Sequence, residues 1–299
     1  MYNNHSVGDN SSISTTDCSL PVAHGIALMI ANSLAAVLGT FGNFLVCTAV
    51  LYANPRLRSC SNYLLVSLAI ADLIVSMICE PLVVAIVGKR ALSGDCAENL
   101  ELAYVVSSNL SCSASVMHLA AISVDRFLAV IFPLRRGHIM KNYGLKTMLI
   151  VVWGVAVVFA SVRVPFLKKT SYVVLVVFVI SYTTILGCYL SILVFLVKEK
   201  KRKDGLRERP MVVVNSAVER RVAFTLAIVI SVFTAFWLPM IIVFYSAGKS
   251  LVKIHGTAYM WIRTLALSNS AVNFLIYSAR IRDFRDAYAL ICRKILRCV

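Results

Sequence analysis

Asp72 and the pair Asp125-Arg126 are ionisable residues set inside long apolar runs. At the centre of a membrane helix such a group opposes insertion by roughly 2.5–3.5 kcal/mol, so it demands a partner or a task. Asp72 ends the stretch Leu68-Ala69-Ile70-Ala71-Asp72, and Asn43, Ser115, Asn269, Ser270 and Asn273 are further polar residues in apolar surroundings. Two readings are open for this group: a set of interhelical hydrogen bonds, or a water-filled pocket in which the Asp72 carboxylate binds a cation. Asp125 can hold the Arg126 guanidinium locally, and Glu219 can hold it from another helix, since an Arg fork suits two carboxylates. Both pairs together would tie two helix ends shut; a static surface ion pair is the alternative. Pro239, which follows Phe236-Trp237-Leu238, removes a backbone hydrogen bond and kinks its helix. The kink is either a lever that enlarges motion between Trp237 and Glu219 or a bend without motion.

The elements that carry these residues are legible from hydropathy. The chain has 299 residues, 59% of them hydrophobic and 15% charged, with a mean hydropathy of +0.81. That is too little charge to cover a soluble domain. A spanning helix needs about 20 apolar residues, and seven such runs occur, at 25–51, 61–87, 97–132, 144–166, 171–197, 218–247 and 257–279. Helices are expected because lipid leaves no backbone polar group a partner outside its own segment. The fold class is therefore all-α, a seven-helix integral membrane bundle. The third run exceeds the bilayer and should tilt and project inward. Residues 281–297 alternate charged and apolar residues at helical spacing (Ile281, Phe284, Tyr288, Ile291, Ile295), which suits a short amphipathic eighth helix along the inner membrane face. The domain division expected is a tail at 1–24, the bundle at 25–279, and the amphipathic helix with its tail at 280–299.

A net charge of +16 suggests nucleic acid, but its distribution argues otherwise. No Lys or Arg precedes Arg56. Of the 30 basic residues, only Lys89, Arg90, Arg163, Lys168, Lys169, Lys249, Lys253 and Arg263 fall towards one side of the bundle. The rest face the other, which is the positive-inside pattern of a multi-pass membrane protein with an extracellular N-terminus. The inner basic runs suit anionic lipid of the bilayer as partner. Residues 1–24 lack a basic start and an apolar stretch, so no cleavable signal peptide is expected. Asn4-His5-Ser6 and Asn10-Ser11-Ser12 are glycosylation acceptors there.

Nine cysteines are present, and only Cys18 and Cys96 fall outside the apolar runs on the oxidising side. They either pair, pinning the tail over the bundle, or stay as two thiols. Cys292 and Cys298 lie in the amphipathic segment as palmitoylation candidates or unmodified thiols.

Taken in order, these residues resemble the rhodopsin-like (class A) G-protein-coupled receptors along nearly the whole chain. The resemblance rests on Gly42-Asn43, Leu68-Ala69-Ile70-Ala71-Asp72, Ser115, Asp125-Arg126-Phe127, Pro133, Trp153, Tyr189, Phe233-Trp237-Pro239, Asn269-Ser270, Asn273-Phe274-Leu275-Ile276-Tyr277 and Phe284. It implies a plasma-membrane receptor that relays an extracellular signal to a heterotrimeric G protein by opening of helix six, with arrestin as a further partner and no covalent chemistry of its own. It implies that Asp72, Ser115, Asn269, Ser270, Asn273 and Asn43 form a pocket for an allosteric sodium ion, with Asp72 as the metal ligand and no other cofactor. Asp125, Arg126 and Glu219 resemble the ionic lock, Phe233, Trp237 and Pro239 the toggle, and Arg126, Tyr189 and Tyr277 the residues that receive the G protein.

Departures from the family pattern narrow the resemblance. Glu101 stands where the family usually has a Cys, so its usual disulfide is absent. Ser181 replaces the helix-five Pro and Phe274 the helix-seven Pro, so that helix is expected to be straighter. The short fourth-to-fifth link and these absences resemble melanocortin, adenosine and cannabinoid receptors, or a divergent orphan. Ser108 takes the place of the Asp that anchors amines, and Leu267 that of the retinal-binding lysine. The ligand expected is a peptide or small molecule in an outer pocket of Ser108, Asn109, Cys112, Phe236, Trp237, Phe244, Tyr245, Tyr259 and Arg263. Glu80 and Glu101 add a possible site for a cationic peptide or divalent ion. The rival reading is a signalling-silent decoy or dimerisation partner of the same fold.

Overall fold

The computed structural model describes residues 18–163, 171–205, 213–246 and 256–298, and among them there are helices and no strand. The first span is α1 (Val22–Thr48), which ends in a wide π turn, Ala49–Ala53. The second span is α2 (Cys60–Ile74), a π turn at Val75–Cys79, and α3 (Glu80–Leu92). The third is α4 (Glu98–Ile131), followed by a short helix, α5 (Pro133–Ile139). The fourth, fifth and sixth spans are α6 (Leu145–Arg163), α7 (Ser171–Gly205) and α8 (Val213–Ser246). The seventh is α9 (Thr257–Ser268), a 3-10 turn at Asn269–Ala271, and α10 (Asn273–Arg280), and α11 (Arg282–Cys298) follows it.

Five of these stretches are each long and apolar enough to cross a membrane, and α8 adds the apolar run Ala227–Val243. One face of each helix packs inward and the other meets lipid. On α1, Leu34, Val37, Leu38, Phe41 and Phe44 are all exposed, while Leu28, Ala35, Gly39, Asn43 and Val46 are buried. Large exposed apolar residues in a continuous belt are what a hydrocarbon solvent requires. Small residues bring α1 close to its neighbours. A Cβ on Gly39 would stand 2.9 Å from that of Ser76, and one on Gly42 would run into the Phe274 ring.

α4 sits at the centre of the bundle, packing against α2, α6, α7 and α8. The inner-half core gathers Leu64, Leu119, Ile122, Ile185, Val229 and Tyr277, and the outer-half core Leu28, Val83, Ile86, Tyr104 and Met260. Cys18 and Cys96 form a disulfide, and the Leu20 amide donates to the Arg90 carbonyl at 3.3 Å. The start of the described chain is thereby held on the outer end of the second span.

One expectation changes. The seventh span is not straighter for lacking its Pro: the 3-10 turn at Asn269–Ala271 interrupts it, and Phe274 instead fills the notch left by Gly42. α11 is amphipathic, with Phe284, Ala287, Tyr288 and Ile291 buried against the inner-half core.

Candidate functional site

Three polar clusters lie along the bundle axis. The middle one is built on Asp72, which the last turn of α2 carries into the interior just before the π turn. Ser270 Oγ donates to Asp72 Oδ1 at 2.9 Å and Asn273 Nδ2 to Oδ2 at 2.7 Å. Both donors come from the broken stretch of the seventh span. Asn43 reaches the cluster at one remove: its Nδ2 donates to the Gly39 and Ser270 backbone carbonyls, each at 3.0 Å. Ser115 Oγ, on α4, is buried with no hydrogen-bond partner among the described residues. Asn269 Oδ1 and Asn273 Oδ1 are buried with no partner among the described residues. One carboxylate with several unsatisfied oxygens is a donor set suited to a hard cation. No group of three or more His, Cys, Asp or Glu suited to a metal ion occurs among the described residues.

The inner cluster turns on Asp125, fully buried near the end of α4. Arg126 donates to its Oδ2 through Nε at 3.0 Å and also through Nη2. Arg136 on α5 donates from Nε to Oδ1 at 3.0 Å, and Ser61 Oγ donates to Oδ2 at 2.6 Å. Arg136 Nη2 also binds Ser61 Oγ. Glu219 lies on α8, but its side chain falls outside the described residues. Tyr189 and Tyr277 belong to the inner half, and neither phenol makes a well-formed hydrogen bond among the described residues. The Tyr277 ring packs on Phe284 with centroids 5.7 Å apart. Sequence reasoning missed Ser61 and Arg136. Pro133, a favoured first residue of a helix, was the available signal for α5, which positions Arg136.

Between these clusters an aromatic file links the fifth and sixth spans. Phe178 stacks on Phe233 at 6.5 Å and Phe233 on Trp237 at 5.9 Å, and Tyr182 Oη meets Thr234 Oγ1 at 2.8 Å. Pro239 stands inside α8 two residues beyond Trp237. On the opposite flank, His118 Nδ1 donates to the Ala114 carbonyl at 2.7 Å. Its Nε2 therefore accepts from Ser67 Oγ at 2.7 Å, while Trp153 Nε1 donates to the same hydroxyl at 2.9 Å. This stitches the second, third and fourth spans with every donor used.

The outer cluster joins three spans through Glu101. Arg263 Nη1 donates to both its oxygens, at 3.1 and 3.0 Å, and Arg90 Nη2 lies 3.1 Å from Oε1. The Arg263 guanidinium stands 3.3 Å over the Tyr104 ring, a cation–π contact. Glu80 is buried nearby. This corrects the expectation that Glu101 offers an open cation site, because two guanidiniums already hold it. Arg90 and Tyr104 were missed; in sequence Arg90 reads as one more loop charge. Ser108 Oγ is turned back onto the Val105 carbonyl at 3.3 Å, Asn109 Nδ2 is buried with no hydrogen-bond partner among the described residues, and Cys112 is partly buried. Phe236 and Tyr259 are partly buried, while the Phe244 and Tyr245 side chains lie outside the described residues. So do Asn4, Asn10 and the Cys298 side chain; Cys292 is a partly buried free thiol.

The sequence model of the seven-transmembrane receptor (rhodopsin family) matches residues 42–173 and 168–277, the stretch that holds all three clusters. The chain belongs to that family. The receptor is 28% identical over 303 residues to the adenosine receptor A2a of Canis lupus familiaris, covering 88% of this chain and 70% of the relative. Its identity to the adenosine receptor A2a of Homo sapiens is 28% over 314 residues, covering 91% and 73%. To the histamine H2 receptor of Homo sapiens it is 24% over 310 residues, covering 92% and 80%. The fold is thus a seven-transmembrane bundle, and signalling through G proteins is the activity of this family.

Proposed function

We propose that the receptor, in the plasma membrane with its N-terminus outside, transmits an extracellular peptide or small-molecule signal by releasing Arg126 from Asp125 as α8 swings outward. The observation that carries this reading is a buried guanidinium held by a carboxylate that has two further donors of its own, Ser61 and Arg136. Asp125 can keep hydrogen bonds when Arg126 leaves, so departure of the cation does not strand a buried anion. Arg126 then becomes a cationic surface for the G protein, with Tyr189 and Tyr277 as phenols ready for new partners. Arrestin would use the same opened face. Pro239 next to the Phe233–Trp237 stack supplies the flexible rung in α8 through which the outer half acts on the inner. Lack of an Asp at Ser108 argues against an amine held in that position.

Cells expressing the receptor should activate a G-protein reporter, basally or with ligand, and Arg126→Ala should reduce the signal about ten-fold or more, equivalent to about 1.4 kcal/mol of coupling. Silence across every G-protein class at normal surface expression would instead favour a decoy. The Asp72 cluster supports a sodium ion that holds the resting state by joining the second, third and seventh spans. Basal signalling should fall as sodium replaces a large organic cation, and Asp72→Asn should abolish that dependence. A sodium response unchanged in the variant would remove the ion from the scheme.

A further inference from the structure

The outer cluster contains two buried ionisable side chains, Glu80 and Arg263, that no ion pair joins. Neither oxygen of Glu80 has a hydrogen-bond partner among the described residues. Arg263 spends one nitrogen, Nη1, on Glu101, and its Nε and Nη2 have no acceptor among the described residues. Glu80 adjoins Cys79 and Arg263 lies over Tyr104, and Cys79 and Tyr104 belong to the same outer-half core. Buried polar atoms without partners call for a water, an ion or a ligand, since leaving such a group unsatisfied in the interior is costly.

The geometry selects among ligands. The Tyr104 ring covers one face of the Arg263 guanidinium and Glu101 takes one corner. The Nε–Nη2 edge is left, and that edge of the planar fork binds a carboxylate through two parallel hydrogen bonds. A simple amine would satisfy Glu80 and leave this edge bare. A simple acid would satisfy Arg263 and leave Glu80 bare. A molecule bearing both charges satisfies both. Ser108, in place of an acid on the third span, leaves Glu80 as the buried carboxylate without a bound cation in this half.

We propose that Glu80 and Arg263 form a recognition site for a small zwitterion of the amino-acid type, its ammonium on Glu80 and its carboxylate on the Nε–Nη2 edge of Arg263. The site deepens the receptor reading and rests on it for access from outside. Glu101, itself paired with Arg90, and the Tyr104 ring hold Arg263 in position and do not touch the ligand.

The test uses the purified full-length receptor in lipid nanodiscs, with thermal unfolding as the readout and no G protein present. The probes are the protein amino acids and straight-chain ω-amino acids from glycine to 6-aminohexanoate. Each hit is compared with its methyl ester and its N-acetyl derivative. At least one zwitterion should raise Tm dose-dependently, with both derivatives about ten-fold weaker or worse, as expected for loss of one charge-assisted pair. Glu80→Gln should erase the preference over the N-acetyl form, and Arg263→Gln that over the ester. If Arg263→Gln does not unfold cooperatively, Arg263→Lys, which keeps the charge and loses the fork, should weaken binding about as much. The proposal is overturned if no zwitterion of the panel stabilises the receptor, if a hit binds as well without either charge, or if Glu80→Gln leaves the N-acetyl discrimination intact. Signalling without zwitterion binding would overturn this site alone, whereas zwitterion binding without signalling would overturn only the coupling scheme.

Discussion

The two ends of the third span carry the same motif with its burial reversed. At each end one carboxylate is shared by two guanidiniums. At the inner end the acid is sealed and a cation reaches water: Asp125 is 0% exposed and Arg136 is 22% exposed. At the outer end the cations are sealed and the acid reaches water: Arg90 and Arg263 are each 1% exposed and Glu101 is 23% exposed. The inner arrangement can surrender a cation with little rearrangement, because the remaining donors stay on the acid. The outer one cannot lose its acid without stranding two cations in hydrocarbon. One end can therefore exchange partners, and the other holds three spans in register.

Removing the hub at each end breaks the comparison most directly. Glu101→Ala should destabilise the receptor by about 3–5 kcal/mol, the penalty for breaking a buried pair, and appear as collapsed surface expression and a large fall in Tm. Asp125→Ala should lower Tm less and raise basal signalling, since Arg126 and Arg136 can turn to water; equal losses at both ends would erase the distinction. A smaller effect is expected where α1 meets the seventh span. Gly42→Ala forces a methyl into the Phe274 ring and should cost about 1–3 kcal/mol by overpacking, with Phe274→Leu restoring much of the lost Tm. The smallest effect on stability belongs to Arg136→Ala. A partly exposed ion pair contributes about 1 kcal/mol or less, so Tm should barely move while reporter signal in the absence of ligand changes.

Much of this was legible because lipid enforces simple rules. The seven spans follow from apolar run length, and Asp72 with Ser270 and Asn273 follow from the rarity of polar groups among apolar residues. The structure places those three within hydrogen-bonding distance. What escaped depends on local geometry that hydropathy does not encode. Arg136 looks like one of many inner cations until α5 turns it back onto Asp125. Arg90 looks like an interfacial anchor until the second span is seen to continue to Leu92 and bury it. The break in the seventh span was missed for a related reason: Pro was taken as its cause, whereas the Asn269-Ser270 step supplies the turn without it.

The π turn at Val75–Cys79 has a consequence for how the second span tolerates insertion and deletion. A residue of regular α-helix advances the azimuth by about 100°, and a wide turn absorbs one extra residue without passing that advance on. Deleting a single residue there would restore a regular helix and leave everything beyond it at nearly the same azimuth, whereas a deletion in a regular turn would swivel it by roughly that angle. Asp72, Glu80 and Arg90 would all keep facing the interior. The second span is thus tolerant of losing one residue at this turn and at no regular turn beside it.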